Sequence, residues 1–481
     1  MARLVVISNR VAVPKSGSRA GGLEVAVQAA LKQNPGIWFG WSGRMSARIE
    51  TRSIEHDKIS YVVTDLGRED YSEYYNGFAN RVLWPILHYR LDLAEFSRRD
   101  LSGYMRVNEH FANELQKIMR PDDIVWAHDY HLFPLGKALR ERGFKNRIGF
   151  FLHTPFPPPE IITALPHHER VVSALCQYDL VGFQTETDSA NFARYLESEC
   201  RYQREGEGYA AGDRVVRIGS FPVGIETEAF NRLARRAIKS PFVSGVTASL
   251  SGRAMIIGVD RLDYSKGINE RLEAFERFLM QHPEWHNNVT YLQITPKSRS
   301  AIQEYAEMER QVNQTVGRIN GDYGDATWTP IRYVTRTHRR AALAGLYRAA
   351  RAALVTPLRD GMNLVAKEYV AAQNEDDPGV LILSRFAGAA MECKPALLVN
   401  PFDVDSVGSA IHRALSMSLD ERCARHKSLY GIISSNDISA WPQKFLNALN
   451  RVDGAASSGA AVDAPPAGHV WPAGSAGRAA L

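Results

Sequence analysis

Short runs of β-branched and aromatic residues alternate with helical stretches along most of the chain, and this alternation narrows the available folds more than any other feature. Leu4–Ser8, Ile37–Trp41, Ile59–Val63, Ile124–Ala127, Ile148–Leu152 and Leu180–Phe183 form a first series. The pattern pauses from about Arg235 to Gly252, a stretch containing Ser, Gly and Arg with weak periodicity. It resumes with Met255–Val259, Val289–Ile294, Ile331–Val334, Ala352–Thr356, Val380–Leu383 and Ala396–Val399. Strands separated by helices pair in parallel, because each helix returns the chain to the edge where the previous strand began. Two series predict two successive α/β domains, each with a parallel sheet, joined near residue 245.

Size and composition agree with this. The 481 residues are 45% hydrophobic, 10% aromatic and 23% charged, which suits two large cores and excludes a disordered, collagen-like or disulfide-stapled chain. The domain limits are placed at 1–240 and 241–438, and the Ala-, Gly-, Ser- and Pro-rich residues 454–481 are expected to be disordered. The net charge is only +5, from 58 Lys and Arg against 53 Asp and Glu, with no dense basic block, so nucleic acid is not expected as a partner. Cys176, Cys200, Cys393 and Cys423 lack C-x-x-C spacing and read as isolated thiols of a reducing compartment. The apolar start at Leu4–Ile7 is too short for a signal segment, and no window approaches the ~18 apolar residues of a membrane span. A cytoplasmic protein without a membrane partner is expected. Sequons at Asn288 and Asn313 would matter only on a secretory route. Self-association is left open.

In open parallel sheets, ligands bind beyond the carboxyl ends of the strands. The least ordinary residues of this chain sit there. Ser8-Asn9-Arg10, His128-Asp129-Tyr130-His131, His153-Thr154-Pro155-Phe156, Asp260-Arg261-Leu262-Asp263 and Pro357-Leu358-Arg359-Asp360-Gly361 each follow a strand. Loops of this kind from both domains imply a cleft between them.

Arg261 and Lys266 lie five residues apart in a strand-to-helix loop relaxed by Gly267. Two fixed cations there can neutralise a departing diphosphate without a metal. A solvated charge cluster is the plainer alternative. In Arg359-Asp360-Gly361-Met362-Asn363-Leu364-Val365-Ala366-Lys367-Glu368, the first residues would present backbone N–H groups at a helix start. Asp360 could hold sugar hydroxyls and Glu368 the vicinal hydroxyls of a ribose; alternatively, Asp360 is a helix cap and Glu368 an exposed helix residue. Gly21-Gly22-Leu23 opens a helix and could bring bare backbone up to a phosphate, or could be an ordinary tight turn. P-loop and dinucleotide fingerprints are missing, and no Gly-x-Ser-x-Gly elbow supports acyl transfer.

His128 and His131 have the i, i+3 spacing of metal ligands, but no third or fourth ligand is identifiable, so neither a metal site nor a cofactor is expected. His282-Pro283-Glu284-Trp285-His286 lacks the His-Glu-x-x-His order and reads as a loop. Asp403-Val404-Asp405 reads as a helix cap rather than a metal motif. Trp38, Trp41, Tyr75 and Trp84 are core aromatics by default, with sugar stacking as the alternative.

Taken together, these segments resemble the trehalose-6-phosphate synthases, retaining glycosyltransferases of GT-B architecture, over about residues 3–450. The most specific stretches are Trp126-Ala127-His128-Asp129-Tyr130-His131-Leu132, Tyr75-Asn76-Gly77 with Leu83-Trp84-Pro85, and His153-Thr154-Pro155-Phe156-Pro157. Val259–Gly267 and Thr356–Glu368 complete the set. The resemblance implies two Rossmann-like domains whose parallel sheets face across a cleft, with residues 439–453 forming a helix that crosses back to the first domain.

It further implies glucose transfer from a nucleotide-glucose, UDP-glucose favoured, to the anomeric hydroxyl of glucose 6-phosphate, giving α,α-trehalose 6-phosphate. By motif position, Arg10, Tyr75, Trp84 and Arg299 would hold the acceptor phosphate, Trp41 would line that pocket and Asp129 would position the acceptor. Arg261 and Lys266 would bind the donor diphosphate, helped by Gly22 and the N–H groups of Leu364 and Val365. Asp360 and His153 would place the transferred glucose, the Gly361-Met362-Asn363 segment would border the donor, and Glu368 would take the ribose. The catalytic set implied is Asp129, His153, Arg261, Lys266 and Asp360, with no metal. Met391-Glu392-Cys393-Lys394 departs from the family's usual run near the expected nucleotide position. The alternatives are a related transferase with another phosphorylated acceptor, such as glycerol 3-phosphate, and a catalytically silent subunit that only binds sugar phosphate.

Overall fold

The computed structural model describes residues 2–14, 22–298 and 303–451. Arg299, residues 15–21 and the tail expected to be disordered at 454–481 lie outside the described residues. Two sheets organise the chain. In the first, the parallel strands run in the order Ile59–Leu66, Gly36–Met45, Leu4–Arg10, Ile124–His128, Ile148–Phe151, Leu180–Phe183 and Arg214–Ser220. In the second, the order is Ile331–Val334, Val289–Ile294, Ala254–Val259, Ala352–Val355, Val380–Ser384 and Leu397–Val399, all parallel.

The parallel sheets expected from the sequence are present, with one correction. The first sheet carries antiparallel edges, Thr51–His56 on one side and Gly208–Ala211 with Arg204–Glu205 on the other. These strands are polar or short: every residue of Thr51–His56 is at least partly exposed, so no apolar run announces it.

Both faces of each sheet are covered, as an unbroken apolar strand requires. Successive side chains of a strand point to opposite faces, so Val5 and Ile7 enter one core of the first sheet while Leu4 and Val6 enter the other. Met255, Ile257 and Val259 likewise separate from Ile256 in the second sheet. The change of core comes earlier than the pause in the sequence suggests. Ile225, Phe230 and Ala234, which precede residue 240, already pack in the second unit's core, because the helix Thr227–Ala237 lies against Arg340–Ala349.

The last described helix, Ala440–Asn450, returns to the first sheet. Its Phe445 stacks on Trp126 at 4.6 Å, and Trp441 lies 4.8 Å from the same ring. Gly149 and Gly182 make this seat: a Cβ on either would come within 2.6–2.7 Å of the Phe445 ring. The outgoing and returning passages run side by side. Ile438 N–H donates to the Ile225 carbonyl at 3.2 Å, Asn436 Nδ2 donates to the Pro222 carbonyl at 3.1 Å, and a Cβ on Gly224 would sit 1.8 Å from the Asn436 carbonyl. No helix among the described residues is long and apolar enough to cross a membrane.

Candidate active site between the two sheets

The carboxyl ends of both sets of strands face each other, and side chains meet across the gap. Gly361 is packed so closely on the His153 backbone that a Cβ would stand 2.1 Å from its carbonyl oxygen. Arg359 lies 4.0 Å from the Tyr89 ring, Arg90 lies 5.5 Å from Tyr264, and Trp84 Nε1 donates to Asp263 Oδ1 at 3.4 Å.

On the first unit's side, the strand Leu4–Arg10 slips register between Ser8 and Arg10, which turns Arg10 out beside Trp41. Its guanidinium lies 5.9 Å from the Trp41 ring. Gly43 makes room for it: its φ is +82°, and a Cβ would come within 2.8 Å of the Arg10 guanidinium nitrogens. Tyr71–Leu83 winds as a π-helix and passes into the α-turn Trp84–Leu87. Long π-windings are rare and cluster at functional sites. This one stacks Tyr71 on Tyr75 at 5.4 Å and Tyr75 on His131 at 5.8 Å, with Trp41 5.3 Å from Tyr71. Arg10, Trp41, Tyr75 and Trp84, predicted for the acceptor side, thus come from three separate segments to one aromatic wall.

Asp129 adopts φ +77° and ψ 164°, a region disfavoured for any residue with a Cβ, and such strain gathers at functional sites. The backbone is held there because Asp129 N–H donates to the Phe151 carbonyl at 2.8 Å while its Oδ1 accepts from His153 N–H at 3.3 Å. His153 Nε2 is hydrogen bonded to Nδ1 of His128 at 3.1 Å. Burial among Phe151, Trp441 and His128 drives the His153 imidazole down to about 3, so it is neutral near pH 7. His128 and His131, spaced like metal ligands, have separate employments: the first pairs with His153 and the second stacks in the aromatic wall.

The second unit supplies charge. Lys266 Nζ meets Asp360 Oδ2 at 2.5 Å, with the two side chains 10% and 16% exposed. Burial would raise the Asp360 carboxyl, but the Lys266 ammonium outweighs it and holds the carboxyl below its usual range. Beneath them, fully buried Arg271 pairs with Asp260 at 2.8 Å and donates to Thr356 Oγ1 at 2.9 Å and to the Lys266 carbonyl at 3.1 Å. One guanidinium therefore fixes both strand-end loops. Arg261 is exposed, its guanidinium 6.0 Å from the Trp84 ring.

The helix Leu364–Ala372 is capped by Asn363, at φ +84°, whose side chain accepts from Ala366 N–H at 3.2 Å. Asp360 is thus not the cap, which frees it for Lys266. The cap leaves the N–H groups of Leu364 and Val365 at the positive end of the helix. Phe386–Ala389 straps Gly361 and Met362 in place: Asp360 N–H donates to Phe386 O, Gly388 N–H to Asp360 O and Ala389 N–H to Met362 O at 2.7–3.1 Å. Glu368, one turn along the helix, has 21% of its side chain exposed and lies 3.7 Å from Arg340; burial pushes its carboxyl up to about 7. Gly22 begins the helix Gly22–Gln33.

Comparison with known proteins decides the family. The pattern of glycosyltransferase family 20 matches residues 7–451. The chain belongs to glycosyltransferase family 20. Within that family, a trehalose-6-phosphate synthase of Sinorhizobium fredii is 51% identical, the match covering 93% of this chain and 98% of that protein. A crystal structure of a UDP-forming α,α-trehalose-phosphate synthase from Burkholderia xenovorans in complex with glucose-6-phosphate is 44% identical and superposes with a TM-score of 0.91, covering 93% of this chain and 100% of that one. The Escherichia coli trehalose-6-phosphate structure bound with UDP-2-fluoro glucose is 45% identical, with a TM-score of 0.90 over 94% of this chain and 99% of that one. The two-unit α/β architecture of this family 20 chain is therefore GT-B.

Several residues that line the gap carry no site role in the sequence. Gly43 gives no signal beyond a glycine late in a strand. Tyr71 stands four residues before Tyr75 and His88 four after Trp84, a spacing that marks a shared helical face. His88 packs 4.1 Å from Trp84 and, near Asp263, Lys266 and Asp360, is driven down to about 4 by burial. Arg359 was visible in its motif without a role; it lies between Tyr89 and, at 5.4 Å, Phe386.

Proposed function

We propose that this chain transfers glucose from UDP-glucose to the anomeric hydroxyl of glucose 6-phosphate with retention, forming α,α-trehalose 6-phosphate and UDP. The observation that carries the proposal is the meeting of unlike groups across the gap: Lys266, Asp360 and the open helix start at Leu364 on one side, and His153, Asp129 and the Arg10–Trp41–Tyr75 wall on the other. Membership of family 20, with relatives named for this synthesis, supports the same reading.

Departure of the diphosphate builds negative charge on its oxygens while the anomeric carbon becomes oxocarbenium-like. Arg261, Lys266 and the Leu364 and Val365 N–H groups face the first change. Preorganised donors of this kind stabilise charge as it develops. Asp360, kept ionised by Lys266, suits the second. A neutral His153 can hold a glucose hydroxyl without setting a cation beside the oxocarbenium. Arg10, with Tyr75, Trp84, Trp41 and the Arg299 segment, would grip the 6-phosphate, and Asp129 would orient the acceptor. Glu368 would accept from the ribose hydroxyls, and Gly22, Gly361, Met362 and Asn363 would border the donor. Retaining glycosidases place two carboxylates about 5–5.5 Å apart; here the acceptor proton would pass to a phosphate oxygen in a front-face attack. Four free cysteines suit a cytoplasmic enzyme.

The test is nucleoside diphosphate release from UDP-, GDP- and ADP-glucose, with and without glucose 6-phosphate, in the presence of a chelator. UDP release that requires glucose 6-phosphate and survives chelation is expected. Release only with another phosphorylated acceptor would move the activity to a related transferase, and no release would leave a silent sugar-phosphate-binding subunit.

A further inference from the structure

The His282-Pro283-Glu284 run, a loop by sequence, forms a short 3₁₀ turn at Pro283–Trp285 after the helix Ile268–Gln281. The fold brings to it a residue from far along the chain, His412 on the helix Val404–Ser416. One ligating atom from each of His282, Glu284 and His412 lies within 4.8 Å of the others. His282 Nδ1 is 3.0 Å and His412 Nε2 3.8 Å from Glu284 Oε1. Zinc bonds nitrogen and oxygen at about 2.0–2.2 Å, so donors around a tetrahedral ion sit roughly 3.3 Å apart, between the two observed spacings. The cluster borders a surface pocket of about 510 Å³ lined by Trp285, Asn288, His412 and Ser416, which gives an ion an open path and room for water.

The histidine rings stack in parallel, 3.8 Å between centroids. Parallel planes do not let both lone pairs meet at one point. Turning one ring about its side-chain torsions brings them together, and His412, with 38% of its side chain exposed, has the room. Arg277 and Asp405 on the same two helices pair with each other at 3.0 Å. Glu284 is the acidic member of the cluster.

We propose that His282, Glu284 and His412 form a surface site for one divalent transition-metal ion of the zinc class. Imidazole and carboxylate donors select this class over calcium or magnesium, which take all-oxygen shells. The site is separate from the transfer chemistry. Ala254, beside it in the pocket, stands at the amino end of the strand whose carboxyl end leads to Arg261 and Lys266, roughly 17–20 Å away for a strand of this length. An ion here would clamp the end of one outer helix to its neighbour.

The test is a calorimetric Zn²⁺ titration of the full chain, free of any histidine tag and stripped with a chelator. A Co²⁺ titration, read by its visible spectrum, accompanies it. One saturable site per chain is expected, with a rise in Tm on adding Zn²⁺. His282→Ala and His412→Ala should each weaken binding by at least the ~10–100-fold that outer-shell changes alone cost, and Glu284→Gln should weaken it too. His56→Ala, on a distant surface, should change nothing, and glucosyl transfer should be unaltered in all four variants. Binding that persists in His282→Ala/His412→Ala, or no saturable binding up to about 1 mM Zn²⁺, would overturn the proposal.

Discussion

The two walls of the gap are built by different means. The second unit's wall, positive φ at Gly267 and Asn363 apart, uses regular elements: loops at strand ends, a helix start, and charges paired in the fold itself, Lys266 with Asp360 and Arg271 with Asp260. The first unit's wall uses irregular ones: a register slip at Arg10, a positive φ at Gly43 and Asp129, and a π-helix that stacks Tyr71, Tyr75 and His131. A site for a diphosphate needs fixed charge in a fixed place, which strand ends and helix termini supply at little conformational cost. A pocket for a sugar phosphate, the role proposed for the first wall, needs flat apolar surface at several angles around a cation, and there the chain leaves its regular geometry.

The contrast can be broken at its strongest point first. Arg261→Ala removes an exposed cation, so kcat should fall by about 10²–10³ while Tm stays put, measured by UDP release and calorimetry. Lys266→Ala should match that loss and also lower stability by about 3–5 kcal/mol, because Asp360 is left buried without its partner; denaturant unfolding reads the difference. If both variants lose activity with equal, unchanged stability, the donor wall is not braced by its own ion pairs.

On the other wall, Gly43→Ala should act through geometry alone. The added methyl meets the Arg10 guanidinium and the backbone cannot easily keep φ at +82°. Misplacement by about 1 Å can cost up to ~10²-fold, so the KM for glucose 6-phosphate should rise by that order with the donor KM unchanged. A parallel rise in donor KM would erase the division between the walls.

The smallest effect concerns Glu368. Its carboxyl is raised to about 7, so it is protonated below that pH and ionised above, and the ionised form is the better acceptor for ribose hydroxyls. Donor KM should therefore fall roughly tenfold as pH rises by about one unit on either side of 7, and Glu368→Gln should flatten the profile. The same shift has the opposite sign for stability: a carboxyl raised in the folded state favours folding fully below its unfolded value and loses that contribution as pH rises through about 7.

The same division separates what is legible in the amino-acid sequence from what is not. Strands such as Leu180–Phe183 and Val289–Ile294 were located to the residue, because a strand buried on both faces is an unbroken apolar run. Lys266, Asp360 and the Leu364 helix start were legible too, since strand-end loops are where a parallel sheet puts its ligands. Thr51–His56 was not, because an exposed edge strand needs no apolar residues. Neither were Gly43, Tyr71 and His88. An i→i+5 winding departs from the 3.6-residue period by which helical faces are recognised in a sequence, and the partner of Gly43 is a side chain that meets it only from the neighbouring strand.

The paired passages at Pro222–Ile225 and Asn436–Ile438 carry a mechanical consequence. A body tied to another at one point can swivel about three axes, and a single bond-scale linker sets no direction. Tied twice, by segments that are hydrogen bonded to each other, it keeps one easy rotation, about the line through the two ties. Lys367, one residue before Glu368, sits against that line, its ammonium donating at 2.8 Å to the Val223 carbonyl and at 2.6 Å to Glu392. The helix Leu364–Ala372 is thus pinned to the axle, and any opening or closing of the gap must carry the second unit's wall through an arc rather than let it drift.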